Sequence, residues 1–275
     1  MFVYSGFMYF DFTMPLALFA ITLVSMFLNE KAESKLKFVF EERKFTWKDA
    51  VMFVAAMAVM VSVIVFIPQM ALMAIFLFSY SMLLFIFTYL FSNKRWYVAA
   101  VPPAMFILMY AFLNATALWS DYLINIYAGV FAILITLYIG SLFTWKTTII
   151  FAVLLTGMDI ILVLVTGTMV SAATKTMGLK LPILVTLPTL PAIEWNGRMI
   201  HMSLGLGDFF FAGLLTIQNF KKFGKKFAIL SVIAMAASFF IFEAFLLTYQ
   251  LAAFPGTLMI ISGWLPLIFL KMLKH

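Results

Sequence analysis

The sequence predicts an all-α protein that crosses a membrane many times, and three observations lead to this prediction. Of the 275 residues, 65% are hydrophobic and only 11% are charged, whereas soluble domains carry about 25% charged residues. The mean hydropathy is +1.12. The apolar residues form nine segments close to the length of about 20 residues that spans a bilayer. Because lipid excludes unpaired backbone groups, we expect each segment to be a helix.

The nine predicted segments follow one another along the chain. They cover residues 12–28, 50–67, 70–91, 97–118, 121–143, 148–167, 199–219, 227–248 and 254–271. Pro68 predicts a turn between the second and third segments, and the proline pair that starts at Pro102 predicts a late start or a kink in the fourth. Of the two long connections, we expect 29–48 to be helical or interfacial and 168–198 to be extended or broken.

We expect one transmembrane domain with two parts. Residues 1–147 hold the first five helices, and residues 148–275 hold the last four. The first segment lacks a preceding basic region, so we do not expect a cleaved signal peptide. Cysteine is absent and there are two histidines, so the sequence implies neither a disulfide nor a metal site, and it implies no cofactor.

The basic residues are distributed unequally between the two sides of the predicted bundle. Fifteen of the 18 Lys and Arg residues lie on the side that holds the odd-numbered connections and the C-terminus. The positive-inside rule then predicts a cytoplasmic C-terminus and an N-terminus outside. The net charge of +7 comes from short runs between apolar segments, so we expect membrane lipid, and not nucleic acid, as a partner. The lysines of 221–226 are interpreted first as an orientation signal and second as a lipid-headgroup site.

Three acidic residues lie well inside predicted spans: Asp159, Asp208 and Glu243. Acids within a membrane are rare and are functional candidates by default. Asp159 lies about eight residues before the end of its segment, and Asp208 about nine residues after the start of the next. Both are therefore expected roughly 12–14 Å from the same membrane face, at about 1.5 Å per residue.

Two carboxyl groups at one depth on neighbouring helices are what an aspartyl protease requires. Such a pair shares one proton. The ionised group takes a proton from a water that attacks the peptide carbonyl, and the protonated group donates to the carbonyl oxygen. Gly205 and Ala212 share a helix face with Asp208, and small residues allow a partner helix to approach closely.

Other interpretations of these acids stay open at this point. Asp208 alone would also fit a proton or ion pathway, and Gly-X-Gly-Asp is short enough to occur by chance. A proton- or ion-coupled transporter predicts inverted repeats with broken helices, and we find no such repeat in the sequence. Glu243 is expected to be a snorkelling or hydrogen-bonded acid near a helix end, and not a third catalytic group.

The sequence resembles the presenilin and signal peptide peptidase family of intramembrane aspartyl proteases, most closely its archaeal presenilin homologues. Asp159 falls in the sixth of nine segments, and the stretch 169–188 is similar to the one that follows the first aspartate in this family. LGLGDF at 204–209 matches the Gly-X-Gly-Asp signature, and Pro255 opens the final helix. The resemblance is specific over 150–275 and covers only segment count and hydropathy before that.

The chain departs from the family pattern in two places. The first aspartate of the family usually follows a tyrosine, whereas Met158 precedes Asp159 here. The Pro-Ala-Leu of the family is replaced by Pro255, Gly256 and Thr257, so only the proline carries over.

The resemblance implies an endopeptidase that cleaves transmembrane or signal-peptide segments inside the membrane of a prokaryotic, most closely archaeal, cell. It implies that Asp159 and Asp208 are catalytic. The residues it implies for substrate binding are Gly205, Leu206, Gly207, Pro255 and Met158. Residues 168–198 are then a candidate gate or a site of self-cleavage. The oligomeric state is left open.

The predicted orientation also has a consequence for the substrate. An N-terminus outside is similar to signal peptide peptidases and opposite to presenilin, so substrates are expected to run in the type II sense. Prepilin-type peptidases also use a Gly-X-Gly-Asp aspartate. In them the signature comes earlier in a chain with fewer helices, whereas here it falls in the seventh of nine predicted segments.

Overall fold

The computed structural model of the chain describes residues 8–40, 44–195 and 197–273. Most of these residues form helices. The α-helices are α1 (Thr13–Phe40), α2 (Trp47–Ile64), α3 (Gln69–Phe91), α4 (Trp96–Ala99), α5 (Val101–Leu113), α6 (Ile124–Gly140), α7 (Trp145–Ile160), α8 (Thr168–Met177), α9 (Leu206–Phe223), α10 (Lys225–Tyr249) and α11 (Gly256–Leu273). Two π-helical turns adjoin them, Leu118–Leu123 before α6 and Ile161–Val165 after α7.

Four short strands lie between α8 and α9. They are β1 (Leu184–Pro188), β2 (Glu194–Trp195), β3 (Arg198–Met199) and β4 (His201–Gly205). β1 pairs antiparallel with β4, and β2 pairs antiparallel with β3. The expectation of an extended 168–198 connection is therefore confirmed for its second half, whereas its first half contains helix α8.

Local sequence signals explain where several helices begin. Thr46 caps α2 through a reciprocal capping box with Asp49, and this arrangement satisfies two backbone N–H groups at the helix start. Pro68 immediately precedes α3, which confirms the predicted turn. Ala100 separates α4 from α5 and is followed by the proline pair in the first turn of α5, which confirms the predicted irregularity there.

Within the described residues, eight helical stretches are long and apolar enough to cross a membrane. They are Thr13–Leu36, Trp47–Ile64, Gln69–Phe91, Trp96–Leu113, Leu118–Gly140, Trp145–Val165, Lys225–Tyr249 and Gly256–Leu273. These stretches correspond to the predicted segments one to six, eight and nine. The protein is therefore a largely helical, polytopic membrane protein.

The predicted start of the seventh segment, 199–219, is wrong. Residues 201–205 form β4, and α9 begins only at Leu206. The reason is that β1 supplies the backbone partners of this stretch, with Leu184 opposite Gly205. α9 has 18 residues and is about 27 Å long at about 1.5 Å per residue. It is not among the eight helical stretches that are long and apolar enough to cross a membrane, so a ninth span remains a prediction.

α9 occupies the centre of the bundle. It packs against α1, α6, α7, α10 and α11, and every residue from Phe209 to Asn219 is buried. Its approach to α6 is especially close, since a Cβ added to Gly213 would lie 2.5 Å from Thr136 Cγ2. The main hydrophobic core extends from Met14 to Ile268, so both parts of the chain build it.

The basic connections gather at one end of the bundle. Lys221 forms an ion pair with Glu33 at 3.0 Å, and the Lys222 amine lies 4.2 Å from the centroid of the Trp145 ring. These contacts bring the end of α9 together with α1 and with the start of α7. We call this the basic end; β1, β4 and the start of α9 lie at the opposite end. Which end faces the cytoplasm remains a prediction from the Lys and Arg count.

Candidate active site

Asp159 lies in the last turn of α7, directly before a π-helical turn. Single π-helical turns occur frequently at functional sites. The side chain is only 5% exposed. Its Oδ2 atom accepts two hydrogen bonds from Thr257, one from the hydroxyl at 2.6 Å and one from the backbone N–H at 3.2 Å. Thr257 therefore ties Asp159 to the start of α11.

Asp208 is the third residue of α9, and Gly205 is the N-cap of that helix. The Gly205 backbone lies close to the Asp208 carboxyl, since a Cβ added to Gly205 would be 3.3 Å from Asp208 Oδ2. An acid at the third position of a helix lies beside the backbone donors that a helix start leaves without an intrahelical partner. It also interacts favourably with the positive end of the helix dipole. The local fold therefore explains why an acid is stable here.

The start of α11 brings the two carboxyl groups together. A Cβ added to Gly256 would lie 2.6 Å from Asp208 Oδ1, so this carboxyl rests directly against the Gly256 backbone. Asp159 is bonded to the next residue, Thr257. Consecutive Cα atoms are only about 3.8 Å apart, and the charges of the two aspartates interact. The structure thus places Asp159 beside Asp208.

The expected position of Asp208 within its helix is wrong, although the juxtaposition is present. The sequence placed Asp208 about nine residues inside a helix, whereas it lies in the first turn of α9. The strand β4 replaces the expected first helical turns. Asp208 therefore lies where a helix begins, whereas Asp159 lies six residues before the end of the helical stretch Trp145–Val165.

Gly205 and Gly207, two of the predicted substrate-binding residues, lie next to Asp208. A Cβ on Gly205 would come within 3.3 Å of Asp208 Oδ2, whereas one on Gly207 would meet nothing within 4 Å. Gly207 is exposed and Asp208 is partly exposed. The Asp208 side of the site is therefore open to the surroundings of the protein.

The other three predicted residues serve mainly in packing. Leu206 is buried in the core, and its N–H donates to the Ile183 carbonyl at 3.2 Å. Pro255 is buried, and its carbonyl accepts from the Met259 N–H at 3.2 Å. Met158 is partly buried against the same core. In the described part of the chain, no hydrogen bond joins any of these three to the carboxyl of Asp159 or Asp208.

Sequence reasoning missed Gly256 and Thr257. The comparison with the family pattern carried over only Pro255 and treated the next two positions as departures. Thr257 supplies a hydroxyl donor that a leucine cannot offer, and Gly256 leaves space that the Asp208 carboxyl occupies. A threonine just after a proline at the start of an apolar helix was the signal that could have identified this contact.

The two-stranded sheet of β1 and β4 leads directly into the site. β4 ends at Gly205, three residues before Asp208. The other edge of β1 faces α6, where the Thr186 N–H donates to Asn125 Oδ1 at 2.8 Å. On β4, His201 and Ser203 are exposed. Among the described residues, β4 makes no backbone hydrogen bond to a segment other than β1, so its outer edge is free to pair.

The structure contradicts the expected role of Glu243. Its side chain is 0% exposed, so it does not snorkel to the membrane surface, and within the described residues neither carboxyl oxygen has a hydrogen-bond partner. Its charged neighbour is Asp11. Asp11 itself caps α1 through the Thr13 N–H at 3.0 Å and accepts from the Leu190 N–H at 2.7 Å.

Comparison with known proteins adds no assignment to this geometry. Neither a scan against models of known protein families nor a search of curated proteins finds a match. Among the described residues, no group of three or more His, Cys, Asp or Glu side chains is arranged to hold a metal ion. The functional argument therefore depends on the aspartates and their contacts.

Proposed function

We propose that this protein is an intramembrane aspartyl endopeptidase of the presenilin and signal peptide peptidase type, with Asp159 and Asp208 as its catalytic pair. One observation carries the proposal: both carboxyl groups meet at consecutive residues, Gly256 and Thr257. Acids in membrane proteins are costly and are retained where they perform chemistry or transport. Two of them at one point, beside an accessible surface, match the requirement of aspartyl proteolysis.

The proposed reaction uses one shared proton and one water molecule. The ionised carboxylate removes a proton from the water as its oxygen bonds to the peptide carbonyl carbon. The protonated carboxyl donates its proton to the carbonyl oxygen, which gives a neutral tetrahedral intermediate. The C–N bond then breaks as the carboxyl that received the water proton gives it to the nitrogen. The other carboxylate takes a proton from a hydroxyl of the intermediate, so the pair returns to its starting state with one proton.

Contacts around the two aspartates hold both carboxyl groups in place for this reaction. Thr257 holds Asp159 Oδ2 with two donors, and the Asp208 carboxyl packs against the Gly256 backbone. Groups fixed in this way lose little orientational entropy during the reaction. The carboxyl groups therefore do not need to be reoriented when a peptide bond arrives.

The proposed substrate is a transmembrane or signal-peptide segment that enters in an extended form. In a helix, the carbonyl of the scissile bond is engaged in the backbone ladder and is covered by side chains. The accessible edge of β4 offers main-chain pairing to an extended segment, and β4 leads to Asp208 within three residues. In this proposal the connection 168–198 acts as the gate.

Proton- or ion-coupled transport is the second candidate, and one observation favours it. Glu243 is fully buried and has no hydrogen-bond partner in the described structure, and such an acid is typical of a proton pathway. Transport would require Glu243, whereas proteolysis would not. Glu243→Gln therefore separates the two candidates.

The proposal is tested with purified protein in detergent and a model transmembrane peptide. We expect cuts within the apolar part of the peptide, located by mass spectrometry. Asp159→Asn and Asp208→Asn should each reduce cleavage by at least about a hundred-fold, the range of general acid–base catalysis. Asp49→Asn, in the exposed capping box of α2, is the matched control and should cleave normally. Cleavage that survives Asp159→Asn or Asp208→Asn would reject the proposal and favour transport as the function.

A further inference from the structure

A cleft between α1, α3 and α6 has a composition that the proposed protease site does not explain. Its volume is about 400 Å³, within the range of about 300–1,000 Å³ typical of small-ligand sites. Its walls include Leu28 of α1, Phe87 of α3 and Leu134 of α6. Leu28 is 42% exposed, whereas Phe87 is buried. The cleft is therefore open to the bilayer on one side and closed by the core on the other.

Polar and charged groups collect at one mouth of this cleft. Lys31 lines it from α1, and Ser92, which ends α3, lines it from the opposite side. Lys35 lies one helical turn further along α1. Its amine is 3.4 Å from the Leu90 carbonyl and 4.5 Å from the centroid of the Phe91 ring. Lys31 thus lines the cleft, and Lys35, four residues later, lies against Phe91 in its wall.

The surrounding charges leave this mouth positive. Arg95 follows α3 and is exposed. Glu33, on the same stretch of α1, forms an ion pair with Lys221 at 3.0 Å, so its charge is compensated from α9. Glu30 is the other acid in this part of α1. Among the described side chains, Lys31, Lys35 and Arg95 therefore outnumber Glu30 here.

The cleft runs from the basic end towards the middle of the bundle. Its charged mouth lies at the basic end of the bundle, where Glu33 meets Lys221. Leu134 lies six residues before the end of α6 at Gly140, which is about 9 Å deeper at about 1.5 Å per residue. An apolar interior below a cationic rim has the polarity profile of a phospholipid with an anionic headgroup.

We propose that this cleft is a binding site for one anionic phospholipid. Its phosphate lies at Lys31 and Lys35, and an acyl chain lies along Leu28 and Leu134. Charge decides the occupant: basic pockets between transmembrane helices attract anionic headgroups. A phosphatidylcholine has the same chains but brings its own cation to the lysines. This site lies at the basic end of the bundle, opposite the end that holds β1 and β4, and the inference does not depend on proteolysis.

Native mass spectrometry of the purified protein in detergent tests this proposal. The sample contains equal amounts of phosphatidylglycerol and phosphatidylcholine with identical acyl chains. We expect wild-type protein to retain one phosphatidylglycerol molecule in preference to phosphatidylcholine. Lys31→Ala combined with Lys35→Ala should lower the ratio of retained phosphatidylglycerol to phosphatidylcholine by about 10- to 30-fold, the factor for losing two lysines near an anionic lipid.

A matched control separates the cleft from general surface charge. Lys48→Ala combined with Lys146→Ala removes the same charge near the basic end, where the backbone of Phe45 bonds to Leu142, and should leave the ratio unchanged. Thr88→Phe fills the cleft without changing charge, since Thr88 lines it, and should abolish retention. Equal retention of both lipids by wild type would overturn the proposal. A loss no greater in the Lys31 and Lys35 variant than in the control would also overturn it, as would undiminished retention in Thr88→Phe.

Discussion

Replacing Thr257 by valine removes one donor to Asp159 and keeps the shape of the side chain. The lost contact is the hydroxyl hydrogen bond of 2.6 Å to Asp159 Oδ2, and the backbone N–H at 3.2 Å remains. A hydrogen bond to a charged group contributes about 1.5–3 kcal/mol. If the full amount orients or stabilises the carboxylate in the transition state, kcat falls by about 10- to 150-fold, since about 1.4 kcal/mol corresponds to a factor of ten.

The assay is cleavage of a model transmembrane peptide under conditions that separate kcat from KM. Because Thr257 touches Asp159 and is buried, we expect the loss in kcat with KM nearly unchanged. Thr257→Ser keeps the hydroxyl and should restore most of the rate. The reasoning would be refuted if Thr257→Val cleaved at the wild-type rate while Asp159→Asn was inactive. That outcome would leave the catalytic pair intact and remove Thr257 from its support.

Two further predictions follow from close packing and burial. Gly256→Ala would place a Cβ 2.6 Å from Asp208 Oδ1 and should reduce cleavage by about ten-fold or more through displacement of that carboxyl. Gly157→Ala, whose added Cβ meets nothing within 4 Å, is the control and should cleave normally. Equal rates for the two variants would contradict this prediction. Glu243→Met removes two buried oxygens that lack hydrogen-bond partners in the described structure. The change should raise the free energy of unfolding by about 1–3 kcal/mol, measured by thermal unfolding in detergent. A lower melting temperature would show instead that Glu243 stabilises the fold.

Much of the membrane topology could be predicted from the sequence because its causes are local. Long runs without charge identify eight of the helical stretches, since the bilayer sets their length and forces backbone pairing within each segment. Pro68 and the proline pair after Val101 mark interruptions because proline lacks a backbone donor. The acids that form the candidate site were visible for the same reason, since Asp159 and Asp208 stand out in apolar surroundings.

The start of α9 could not be predicted in this way. Residues 201–205 are apolar enough to continue a helix, but they pair with 184–188. Whether a stretch forms a strand depends on a partner that lies elsewhere in the chain, and hydropathy carries no information about that partner. Glu243 was misjudged for a related reason, because its distance from a helix end does not show which helices cover it.

The amino-acid sequence by itself determined that this chain is built from membrane-spanning helices and that a few acids within them need an explanation. Only the tertiary structure decided that Asp159 meets Thr257, 98 residues further along the chain, and that Asp208 lies against Gly256. It also formed the cleft from three helices that are distant in sequence. Segment length and polarity are properties of neighbouring residues, whereas these contacts depend on how α7, α9 and α11 pack, and that packing is a property of the whole chain.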